Sequence, residues 1–115
     1  MMVIRWAAPF LLALLVNGLA LAEGVDDKQF DAIQKLGELN GVALNCHFLN
    51  ETRRMKKALV LALPKRRQYG EAFDSTTNTA FLKFIETKAE CPAEAAFSQQ
   101  VDAAILVLES EFANQ

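Results

Sequence analysis

The chain has 115 residues, of which 52% are hydrophobic and 23% charged, with 12 Lys and Arg against 14 Asp and Glu, one His and two Cys. A formal net charge of −2 argues against nucleic acid as a partner, which calls for a basic balance. So few histidines and cysteines also leave little material for metal or redox chemistry.

The chain opens with a lone Arg5, the apolar run Ala7 to Val16, a break at Asn17-Gly18 and the small-x-small end Ala20-Leu21-Ala22. That succession reads as a secretory signal peptide, residues 1–22, cleaved after Ala22. The apolar run is only about half the roughly 20 residues that span a bilayer. No cysteine follows the cut, which argues against a lipid-attached amino terminus. Removing 22 of 115 residues leaves 93, residues 23–115, expected to form one helical domain. Its net charge becomes −3, because Arg5 is the leader's one charged side chain. No later apolar run approaches the ~18 residues of a transmembrane anchor. The expected location is the periplasm, with secretion as the alternative.

From Asp26-Asp27, which favour a helix start, Phe30, Ile33, Gly37, Gly41, Leu44 and Phe48 recur every three or four residues. This predicts a first helix from Asp26 to about Leu49. Gly37 and Gly41 are its weak points, read as a tolerated bend in preference to a site where another helix comes close. Asn50 is expected to cap a second helix that carries Met55, Ala58, Leu59, Ala62 and Leu63. Asn50-Glu51-Thr52 also matches a glycosylation acceptor, relevant only in a eukaryotic secretory pathway. Pro64 ends that helix and equally suits the first turn of a third.

In the third helix Tyr69, Phe73, Ala80, Phe81, Phe84 and Ile85 make a broad aromatic face. The six consecutive polar residues Asp74 to Thr79 leave two readings open, an unbroken helix or one split by a loop. Cys91-Pro92 marks the next boundary. A last helix then presents Phe97, Val101, Ala104, Ile105, Leu108 and Phe112 on one face. Strand-like alternation is missing. The expected fold is therefore all-α, a small bundle of about four helices, with a Cys46–Cys91 disulfide tying the end of the first helix to the start of the last.

Cys46 and Cys91 are the pair an oxidising compartment would bridge. Their separation excludes a CxxC redox motif, and Cys46-His47 lacks the first cysteine of a haem-attachment CxxCH. A metal site built on them would lack further nitrogen or sulfur ligands, so neither metal nor cofactor is expected. Ser75, Ser98 and Ser110 lack a nucleophile-elbow context, and Glu109 and Glu111 point to different sides of a helix. No catalytic residue is assigned. Phe73, Phe81, Phe84, Phe97 and Phe112 read as core in preference to the lining of an apolar pocket.

Charge segregation is the most unusual feature. Seven of the 12 Lys and Arg lie between positions 53 and 67, as Arg53, Arg54, Lys56, Lys57, Lys65, Arg66 and Arg67, with no acid among them. At 100° per residue Arg53, Lys56 and Lys57 fall opposite Met55, Ala58, Leu59 and Ala62, with Val60 and Leu61 interrupting the basic side. In one reading Val60 and Leu61 pack against a second neighbour while the cations pair with acids of other helices. In the other, the seven cations form a surface for an acidic protein or an anionic envelope component.

Two function classes follow. The first is a noncatalytic periplasmic interaction protein, an inhibitor, immunity-type or accessory factor, that uses the basic surface. For the second, the size, single long-range disulfide, helical content and acidic balance, with Cys91, Phe97 and Val101 in similar order, resemble the HdeA-type periplasmic acid-stress chaperones. That resemblance implies loosening and holdase activity in acid.

Overall fold

The computed structural model describes residues 27–113; the expected leader, residues 1–22, lies outside them. Four helices form: α1 (residues 27–45), α2 (Leu49–Ala62), α3 (Arg67–Glu86) and α4 (Glu94–Phe112), with no strand among the described residues. The other three helices meet at α1. Asn40 of α1 accepts from Thr52 of α2 and donates to Thr77 of α3, while Gln29 Nε2 donates to the Glu111 carbonyl of α4 at 3.2 Å. Gly37 faces Phe73 and Thr76 while Gly41 faces Thr77 and Ala80, so α1 runs parallel to α3. The short turn at 46–48 reverses the chain into α2, and the contacts of Gln29 with Glu111 and of Cys46 with Cys91 make α4 antiparallel to α1.

The apolar periodicity fills one core. Ile33 and Leu36 of α1, Met55 and Leu59 of α2, Tyr69 and Phe73 of α3, and Phe97, Val101, Leu108 and Phe112 of α4 are all buried. Aromatic pairs close both ends. Tyr69 lies between Phe30 and Phe112 with centroids 5.5 and 5.4 Å away, and Phe48 meets Phe97 at 5.3 Å. Cys46, in the turn after α1, is bridged to Cys91 just before α4, with Cα atoms 5.7 Å apart. A closed loop of this length restricts the unfolded chain and stabilises by about 4 kcal/mol in the chain-entropy model.

Two local expectations change, and two readings left open resolve. α1 carries Gly37 and Gly41 without a break, and neither residue is a tolerated bend. A Cβ on Gly41 would lie 2.7 Å from the Phe81 amide nitrogen, and one on Gly37 would lie 2.7 Å from Thr76 Cβ. The pair is the notch into which α3 docks, because only glycine lets two helix backbones come so near. α3 in turn runs unbroken through 74–79, since Thr76, Thr77 and Ala80 are the small or hydroxylated side chains that sit over the notch.

Asn50 is not the cap of α2. The cap position falls two residues earlier, at Phe48, so the helix starts at Leu49, and the Asn50 side chain instead accepts from Arg53 at 3.2 Å. Pro64 lies in the link ahead of α3 and not in its first turn, with its carbonyl accepting from the Arg66 amide at 2.9 Å. The sequon's Thr52 is buried, its hydroxyl donating to Asn40 Oδ1 at 2.8 Å.

Candidate partner-binding surface

The outward face of α2 follows from its inward one. Met55, Ala58 and Leu59 are buried, so at 100° per residue Arg53, Lys56, Lys57 and Val60 must point away from the core, with Leu61 at their flank. All five are exposed, Val60 to 80% and Leu61 to 76%. Among the described residues no second neighbour packs over the two apolar side chains. Leu49, 51% exposed, extends the same stripe to the start of the helix. The result is three cations interleaved with three apolar side chains.

Arg54 behaves differently from the other six basic residues. Its NH1 donates to Asp102 Oδ1 of α4 and its NH2 to Glu51 Oε1, each at 2.7 Å, with weaker donation to Ser98. The hydrogen bond to Glu51, then that to Asp102, raises the guanidinium pKa above its ordinary value. Glu51 is nearly buried, and Arg54 gives its carboxylate a charge-assisted hydrogen-bond partner there. Arg54 therefore clamps α2 to α4 and leaves the group of candidate partner-binding residues.

The remaining six make no ion pair among the described residues. Arg53, Lys56 and Lys57 share the outer face of α2. Lys65, Arg66 and Arg67 are exposed at the α2–α3 link and the start of α3, and the Arg66 guanidinium lies 5.9 Å from the Tyr69 ring centroid, at the limit of cation–π reach. No acid occupies the first turn of α3, so these cations add to the positive end of the helix dipole. Electropositive character runs from α2 into the link.

The aromatic residues divide. Phe73, Phe97 and Phe112 are buried in the core. Because α3 docks on α1 without running alongside α2, a groove of about 370 Å³ remains between α2 and α3, lined by Leu44, Lys56, Phe73, Asp74, Thr77 and Phe81. A larger groove of about 490 Å³ lies on the other side of the bundle between α1 and α4. Ala32 and Ala104 help to line it, with Lys28, Asp31 and Lys35 on α1 and Gln100, Ala103 and Val107 on α4.

Sequence reasoning missed Asn40 and Asn45. Asn40 is 2% exposed and relays α2 to α3, and Asn45 Nδ2 donates to the carbonyls of Gly41 and Phe81 at 3.0 and 3.1 Å. Their signal was position: each lies on the side of α1 that carries the glycine notch. No helix among the described residues is long and apolar enough to cross a membrane. No protein-family model, curated protein or solved structure matches the chain.

Proposed function

We propose that the protein is a noncatalytic interaction factor of the periplasm, or of the secreted fraction, that holds an acidic protein partner on the outer face of α2. The observation that carries this reading is the exposure of Val60 and Leu61 beside Arg53, Lys56 and Lys57, three cations that make no ion pair among the described residues. Apolar side chains supply contact area and the cations supply selection for acid, a division of labour common at protein interfaces. The disulfide supports an oxidising compartment.

Affinity capture from the native envelope, with the wild-type chain and with the quadruple variant Arg53→Glu, Lys56→Glu, Lys57→Glu and Val60→Ser, tests the reading. The expected result is one specific acidic partner, lost from the variant and weakened by salt, with helical content unchanged. Retention of the same partner by the variant rejects the α2 face. Capture of unrelated aggregating proteins between pH 2 and 4, with none at neutral pH, would favour the chaperone class instead.

A further inference from the structure

We propose that the α1/α4 face, on the side of the molecule away from α3, joins two copies of this chain in a two-fold symmetric antiparallel dimer. The argument begins on α1. Lys28, Asp31, Lys35 and Glu38 are all exposed, follow one another at intervals of three, four and three residues, and make no ion pair among the described residues. Three and four are the spacings that put residues on one stripe of a helix. Laid antiparallel on itself about position 33, the stripe sets Lys28 against the partner copy's acid at 38, and Asp31 against the partner copy's lysine at 35. Every position then meets its opposite charge.

α4 carries a second stripe with the same spacing. Gln100, Ala103, Val107 and Ser110 are exposed and uncharged, with Val107 at 53%. Antiparallel about position 105, this stripe sets Val107 over the partner copy's alanine at 103, a large residue into a small one. Gln100 meets the partner copy's serine at 110. This uncharged stripe lies beside the charged stripe of α1, and Glu111 joins Lys28, Asp31 and Lys35 at the groove between them.

One two-fold axis serves both stripes only if their centres lie close to one level. Gln29 donates to the Glu111 carbonyl, so one helical turn inward on each antiparallel helix brings 33 level with 107. That is two residues from 105, about 3 Å along the axis. The groove that Ala32 and Ala104 help to line runs between the stripes at this level. An isologous contact of this kind closes on itself and does not propagate into fibres. It also leaves the outer face of α2 free, so it is independent of the function proposed above.

Charge-swapped variants test the proposal. Lys28→Glu with Lys35→Glu makes the α1 stripe wholly acidic, and Asp31→Lys with Glu38→Lys makes it wholly basic. By sedimentation over a concentration series at low salt, the wild-type chain is expected to dimerise and each double variant to associate at least about tenfold more weakly. An equimolar mixture of the two variants is expected to recover a dimer containing one copy of each, since every pair is then of opposite charge. Circular dichroism checks that both variants keep their helices. A wild-type chain that stays monomeric at every concentration overturns the proposal, whether a segment of the same chain or another protein covers the face. So do variants that dimerise as the wild type does, or that fail to combine with each other.

Discussion

The bundle contains two parallel helix pairs built on opposite rules. α1 and α3 meet where side chains are absent or small, at Gly37 and Gly41 under Thr76, Thr77 and Ala80, and amide and hydroxyl groups finish the seam. α2 and α4 meet through side chains that are present, with Met55 and Leu59 sharing a core with Val101 and Leu108 and Arg54 clamping the rim. A seam of the first kind fails when atoms are added, and one of the second kind fails when atoms are removed. Both α2 and α4 still keep an exposed outer face, whereas the glycine face of α1 is covered by α3.

The largest effect should come from the bridge that ties the end of α1, and hence the glycine seam, to the start of α4. Cys91→Ser with Cys46→Ser is expected to remove about 4 kcal/mol, a large share of the stability of so small a domain. Urea denaturation of the wild-type and double-serine chains measures it. Hydrogen exchange on the variant adds which seam opens first. Alkylation without reductant should label no thiol in the native chain, because no free cysteine remains.

The seams themselves are separated by glycine. Gly41→Val is expected to destabilise by about 3 kcal/mol, since its Cβ would sit against backbone of α3 that cannot step aside without breaking the helix. Gly70 is the internal control. It lies in α3 where an added methyl would meet nothing within 4 Å, so Gly70→Ala should stabilise by about 0.5 to 1 kcal/mol. If Gly41→Val proves neutral in thermal melts, the close approach is not what holds α3.

Arg54→Met keeps much of the side-chain volume and removes both the Glu51 pair within α2 and the link to Asp102 of α4. The expected loss is about 1 to 2 kcal/mol, mostly from leaving the nearly buried Glu51 unpaired. Arg54 is 40% exposed and Asp102 58%, so the link to α4 adds little and is screened by salt. The double variant Arg54→Met, Glu51→Gln should recover part of the loss. Failure to recover would mean that Arg54 works through its packing on α2 and α4.

The same contrast explains what could be read from the chain. α4 was legible because Phe97, Val101, Ala104, Leu108 and Phe112 bury hydrocarbon at helical spacing, and all five are in the core. Met55, Ala58 and Leu59 made α2 legible in the same way. The α1–α3 seam was not, because what it buries is backbone: glycine has no side chain to mark a face, and Thr76 and Thr77 look like solvated polar residues. Even Asn40-Gly41, a dipeptide that ordinarily marks a hairpin turn, lies in the middle of a helix. The cationic segment was visible at once, yet its division was not, since the partner that takes Arg54 out of the surface lies 48 positions away on α4.

The smallest predicted effect concerns the two chain reversals on either side of the bridge. His47 follows α1 and Lys88 follows α3, with φ of 60° and 54°, the left-handed region where a side chain is disfavoured by about 1 to 2 kcal/mol. Both turns need that conformation to close their helices, as the Phe48 amide reaches the Ala43 carbonyl at 2.9 Å and the Ala89 amide reaches the Phe84 carbonyl at 3.1 Å. Glycine removes the steric penalty but also gives the unfolded chain more freedom, worth about 0.5 to 1 kcal/mol. His47→Gly and Lys88→Gly should therefore each stabilise by about 0.5 to 1 kcal/mol, a rise in melting temperature of about 2 to 6 °C for a domain of this size. If the strain belongs to the turns, the gains should persist in the double-serine background without the bridge. A gain seen only in the bridged chain would show that the disulfide imposes the left-handed turns, and no gain in either would mean that the His47 and Lys88 side chains contribute as much as their backbone costs.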